Sequence, residues 1–271
     1  MKPSRFAAVV VISLLAIALT GGQASAQVST PKWAPAASAP VHPGVQTISP
    51  SGQCTANFVF YDGVDIFIGQ AAHCTSTGTL TDTNGCATRS LPLGTLVEVG
   101  GASRPGQLAY NSWLTMHGVG EKNDSVCHGN DFALVRIDPA DHARVNPSIP
   151  FWGGPQGLDS SSNALETVYA YGNSGLRGGI AALSPKVGFA TGDRLDGWSH
   201  DVYAITPGIS GDSGSAFLGS NGGALGVLST VSLTLSNQVS DLSRALSYMK
   251  DHTDHDNVRL ANGTEPFSPL L

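Results

Sequence analysis

Apolar and polar residues alternate along this chain mostly in short runs, the pattern of half-buried strands joined by tight turns. Asn57–Tyr61 and Asp65–Gly69 are two such runs on either side of Asp62-Gly63, which predicts a hairpin. Leu96–Val99, Phe132–Ile137, Thr167–Tyr171 and Ala224–Leu228 are further predicted strands. Asn84-Gly85, Gly153-Gly154, Gly178-Gly179 and Gly222-Gly223 mark turns between them. One segment has a different period. After Ser240-Asp241, which can cap a helix, Leu242, Ala245, Leu246 and Met249 fall on one helical face. The pattern predicts an all-β chain closed by a C-terminal helix.

Both ends of the N-terminal region break the pattern. Phe6–Leu19 is apolar except for Ser13, follows Lys2 and Arg5, and leads to Ala24-Ser25-Ala26. A charged start, an apolar run too short to span a bilayer and an A-x-A site predict a signal peptide over residues 1–26, with secretion as the consequence. Residues 27–50 carry Pro31, Pro35, Pro40, Pro43 and Pro50 and are expected to be an extended linker or short pro-segment. Residues 51–271 then form the main domain.

Composition narrows the function. Charged residues make up only 13% of the 271, and there are 33 glycines, which suits short strands and turns. Loss of Lys2 and Arg5 with the signal would take the net charge from −6 to −8. No basic footprint for nucleic acid is present. Nor is stable membrane association expected once the signal is cleaved. Four cysteines in an exported chain imply two disulfides. Cys54 and Cys74 flank the strand-like run before a histidine, which favours pairing them. Cys86 and Cys127 remain as the second pair, although four cysteines allow three pairings. No C-x-x-C spacing supports a zinc site instead.

Three short stretches carry chemistry: Ala71-Ala72-His73-Cys74, Asn130-Asp131-Phe132-Ala133-Leu134 and Gly211-Asp212-Ser213-Gly214. A serine hydroxyl needs an adjacent base to become a nucleophile, and that base needs an orienting carboxylate. Ser213, His73 and Asp131 supply those groups. Gly211 allows the backbone twist of an oxyanion hole, with the N–H groups of Gly211 and Ser213 as its expected donors. No cofactor or metal is required. Asp251–Asp256, with His252 and His255, looks at first like a metal site but reads more simply as a solvated helix end.

These three motifs, in the order His, Asp, Ser, resemble the chymotrypsin/trypsin-like serine proteases in their secreted bacterial form. The resemblance runs from about Cys54 to Met249. It implies two six-stranded antiparallel β-barrels, with the site in the cleft between them, acting on protein or peptide substrates as a monomer. It also locates a specificity pocket. Pro207 stands where trypsins hold the aspartate that binds Arg or Lys, so trypsin-like cleavage is not expected. Ser229-Thr230-Val231 resembles the substrate-binding strand, with Val231 where a glycine would open a deep pocket. Ser213-Gly214-Ser215-Ala216 departs from the family's Ser-Gly-Gly-Pro. The Ile-Val-Gly-Gly start that provides an ion-pair partner for the aspartate before the serine is missing, and Arg177 is the candidate to replace it at Asp212. Two other functions remain open on sequence. One is a non-catalytic binding module on the same fold. The other is an esterase, although Ser213 lacks a G-x-S-x-G elbow.

Overall fold

The computed structural model describes residues 28–79, 82–159, 162–231 and 236–269, with the backbone alone for Val231. The expected signal peptide lies outside the described residues. The first half of the chain contributes β1 (Gln46–Ser49), β2 (Gly52–Thr55), β3 (Val59–Tyr61), β4 (Ile66–Gln70), β5 (Leu96–Val99) and β6 (Gly106–Asn111). Two short helices, α1 (Ser112–Val119) and α2 (Asp124–Gly129), precede β7 (Ala133–Arg136). The second half holds β8 (Thr167–Tyr171), β9 (Pro185–Arg194), β10 (Ser199–Ala204), β11 (Ala216–Leu218), β12 (Ala224–Val231) and β13 (Asn237–Asp241). Helix α3 (Leu242–His252) and β14 (Arg259–Leu260) complete it.

The second half closes into a six-stranded antiparallel barrel, in the order β10-β13-β12-β11-β8-β9. The first half is a curled sheet of eight strands, β14-β3-β4-β7-β6-β5-β1-β2. Its two ends are joined by the chain itself. Ala56, just past β2, still bonds to Val45 beside β1, while Asn57 already donates to Gly69 of β4. Residues 52–61 therefore act as one bent strand that serves β1 and then β4. Six strands circle back in this way, and β14 adds a further strand at the edge of β3. Two six-stranded barrels were expected; the extra strand comes from the C-terminal tail, whose two-residue span carries no readable alternation.

Alternation explains how the two halves meet. On β4, Ile66 and Ile68 point into the first barrel with Val59, Val97 and Val135. Phe67, on the other face, joins a cluster with Phe60, Phe132, Trp152, Leu218 and Val227, drawn from both halves. Leu242, Ala245, Leu246 and Met249 of α3 pack into that same cluster, as their helical spacing predicts. Asp241 caps the helix by accepting the Arg244 N–H at 2.6 Å.

The linker expectation for residues 27–50 needs correction from Ala39 onward. Val41 is fully buried and bridges to Val145, and β1 is an internal strand between β2 and β5. The prolines conceal this because they lie outside β1, where they remove no ladder hydrogen bond.

Both expected disulfides are present. Cys54–Cys74 ties β2 to the turn after β4, with Cα atoms 6.1 Å apart. Cys86–Cys127 ties the loop before β5 to α2, at 5.1 Å. Each cross-link restricts the unfolded chain. Replacing Cys54 and Cys74 together by alanine is expected to cost about 3 kcal/mol, read as a lower urea midpoint in equilibrium unfolding.

Candidate active site

His73 sits in a single 3-10 turn, Ala72–Thr75, immediately after β4, and its neighbour Cys74 fastens that turn to β2. Asp131 lies between the end of α2 and β7. Its carboxylate accepts the His73 backbone N–H at 2.9 Å on one oxygen and lies 2.7 Å from Nδ1 of the same residue on the other. That second oxygen also accepts the Ser229 hydroxyl at 2.6 Å. From behind, the Ser240 hydroxyl accepts the Asp131 N–H at 3.1 Å and donates to the Gly129 carbonyl. The histidine side chain is 19% exposed and the aspartate 5%, so a nearly buried carboxylate orients an imidazole at the surface.

Ser213 lies in the turn between β10 and β11, and the first half of the chain holds that turn. The Thr55 N–H donates to the Ser213 carbonyl at 2.8 Å, and the Asn57 amide donates to that of Gly214 at 3.1 Å. Gly214 has φ +86°, and a Cβ there would stand 2.6 Å from the Thr55 carbonyl and 2.9 Å from the Ala71 nitrogen. Only glycine lets the serine turn lie this close to the segment leading into His73. The turn that carries Ser213 thus packs, at the seam between the halves, against the segment that leads into His73.

The backbone before Ser213 is oriented by its carbonyls. In a trans peptide, C=O and N–H point in opposite directions. The Ser210 carbonyl accepts the Ser174 hydroxyl and the Asp212 carbonyl accepts the Ser215 N–H. The Gly211 and Ser213 N–H groups therefore face away from those partners, and neither has a hydrogen-bond acceptor among the described residues. Gly211 holds φ +92°.

Asp212 is fully buried and takes four contacts. Arg177 Nη2 lies at 2.5 Å, Lys186 Nζ at 3.1 Å, and the N–H groups of Ser174 and Ile209 at 3.0 and 3.2 Å. The proposed Arg177 contact is present. Lys186 was not anticipated; it stands immediately before the apolar run Val187–Ala190.

The pocket residues fare unevenly. Pro207 is half-buried between Thr206 and Gly208, whose N–H bonds to the Asn237 side chain at 2.8 Å. Ser229, read as a substrate-strand residue, commits its hydroxyl to Asp131. The Val231 side chain lies outside the described residues. His252 stacks on Tyr248, while His255 turns toward the Ala109 carbonyl, so these two histidines face different neighbours.

Burial resists a charge on His73, but the charge and hydrogen bond of Asp131 outweigh it and raise the imidazole above 6.5. Burial likewise resists the Asp131 anion. The His73 charge and hydrogen bonds, together with the Ser229 hydroxyl, outweigh it and hold the carboxyl below 3.8.

No protein-family model and no curated protein sequence matches the chain. Solved structures do. Protease A of Thermobifida fusca is similar with a TM-score of 0.52 at 18% identity, covering 82% of this chain and 99% of that one. A glutamic acid specific serine protease, described as using a histidine triad in substrate binding, is similar with a TM-score of 0.51 at 17% identity, over 82% and 100% of the two chains. The chain has the two-barrel fold of the bacterial chymotrypsin-like serine proteases.

The electrostatics can be checked without any substrate. In an NMR titration, His73 should titrate above 6.5 in the wild type. In Asp131→Asn only burial remains, and the midpoint should fall below 6.5.

Proposed function

We propose that this chain is a secreted serine endopeptidase that cleaves peptide bonds through a Ser213–His73–Asp131 triad and an acyl-enzyme. The observation that carries the reading is the Asp131–His73 pair, with the Gly211–Gly214 turn packed against the segment leading into His73. Asp131 on Nδ1 keeps that nitrogen protonated and leaves Nε2 as the base. In the first step Nε2 takes the Ser213 proton as Oγ attacks the peptide carbonyl, and the carbonyl oxygen becomes an oxyanion. The Gly211 and Ser213 N–H groups are the donors for that charge. His73 then gives its proton to the departing amine, leaving an ester on Ser213. Water, deprotonated by His73, attacks the ester and frees the acid and Ser213.

Pro207 offers no carboxylate for an Arg or Lys side chain. Together with Val231 on the pocket strand, it favours small or medium apolar residues at the cleaved position. An Asp212 without a partner would have favoured the binding-module alternative, but Asp212 pairs with Arg177 and Lys186. The two internal cations also mean that no freed amino terminus is needed to pair with Asp212. Export follows from residues 1–26 and the two disulfides, with Gln27 as the first mature residue. The mature chain acts as a monomer on protein or peptide substrates, without a cofactor and without nucleic acid as a partner. Among the described residues no helix is long and apolar enough to cross a membrane.

Hydrolysis of a peptide library by the mature protein tests the reading. Ser213→Ala should lose about 10⁴- to 10⁶-fold in kcat while keeping the wild-type Tm. Because neutral His73 is the base and its pKa is raised, the acid limb of kcat/KM should fall as pH drops through a midpoint above 6.5. Equal turnover by Ser213→Ala would refute the mechanism.

A further inference from the structure

Lys186 belongs to no motif, yet it is only 2% exposed and its Nζ lies 3.1 Å from Asp212, the residue before Ser213. The same nitrogen lies 3.5 Å from the Thr206 carbonyl. Lys186 thus reaches both ends of the segment 206–212. That segment contains Pro207, at the pocket wall, and Gly211, whose N–H is an oxyanion donor in the reading above.

A single carboxylate here faces two cations, Arg177 and Lys186. One would balance it. A second buried ammonium is costly to desolvate, so an incidental role in charge balance does not account for it. The backbone is also cleared to admit it. A Cβ on Gly172 would stand 2.5 Å from the Asp212 carboxylate and 2.9 Å from Lys186 Cε.

The two cations differ in what holds them. Arg177 ends the short 3-10 turn Gly175–Arg177, whose Leu176 is 76% exposed. Lys186 lies on β9, which is paired with β8 on one side and β10 on the other. The lysine is therefore the anchor fixed to the barrel wall.

We propose that Lys186 is a positioning residue that fixes both ends of the 206–212 segment and thereby sets the Gly211 and Ser213 N–H groups against the developing oxyanion. The proposal rests on the endopeptidase reading. It has a consequence at alkaline pH. Burial lowers the Lys186 pKa; Asp212 opposes that shift and Arg177 adds to it, and these two are the charged groups that face the ammonium. As pH rises through that lowered value the anchor loses its charge.

The test measures kcat per active site, with sites counted by stoichiometric reaction with a fluorophosphonate, so that a loss of folded protein does not register. Lys186→Met should lower kcat per site by about 10- to 100-fold, with KM changed by less than about threefold. Lys186→Arg should recover part of the rate and move the alkaline fall in kcat/KM to higher pH, because arginine does not deprotonate. If Lys186→Met does not fold, the alkaline limb of Lys186→Arg decides. Wild-type kcat per site in Lys186→Met, or an alkaline limb that Lys186→Arg leaves in place, would overturn the proposal while leaving the endopeptidase reading intact. A wild-type protein that neither reacts with the fluorophosphonate nor cleaves peptides would overturn both.

Discussion

The carboxylate of Asp131 is the point on which the site depends. It receives the backbone N–H of His73 and the hydroxyl of Ser229, and it faces His73 Nδ1. His73 and Asp131 belong to the first half of the chain; Ser229 and Ser240, which brace Asp131 from in front and behind, belong to β12 and β13 of the second. The second half thus completes the coordination of the carboxylate that orients the histidine. A nearly buried anion needs several donors to offset its desolvation, and here they come from both halves.

Asp212 is a second buried carboxylate, held within the second half alone: Arg177 and Lys186 neutralise it while the backbone N–H groups of Ser174 and Ile209 complete its coordination. Burial alone would raise its pKa. The hydrogen bond of Arg177 and the charge of Lys186 reverse that and hold it below 3.8. For Asp131 and Asp212 alike, the folded pKa lies below the unfolded one. The stability each contributes is therefore fully present above the unfolded value near 3.8 and is lost as pH falls through the folded value. Around neutral pH both anchors are intact, and it is the protonation of His73, with its raised pKa, that varies.

How much of this can be read in the sequence depends on the range of the interaction. The hairpin at Asp62-Gly63, the α3 face and the Asp241 cap depend on neighbours a few residues apart, and the alternation and spacing reveal them. The His73, Asp131 and Ser213 segments are legible as candidates because the proposed chemistry would force particular residue types into short motifs. The burial of β1 is not legible, because the prolines on either side of it mask a strand whose partners, β2 and β5, are chosen by packing. The short α1 escapes for another reason: Trp113 and Met116 are buried while Leu114 is only partly so, which leaves no clean apolar stripe. Ser229 and Lys186 are ordinary residues in strands. Their contacts with Asp131 and Asp212 reach 98 and 26 positions along the chain, and no local pattern records those.

The proposed mechanism requires Ser213 to be more nucleophilic than any other hydroxyl in the molecule. Reacting the folded, mature protein with a fluorophosphonate at mildly alkaline pH and mapping the adduct by mass spectrometry tests this directly. One phosphonylated residue per chain, on the peptide containing Ser213, is the expected result. A folded protein that takes up no adduct, or takes it up at a serine elsewhere, would contradict the account.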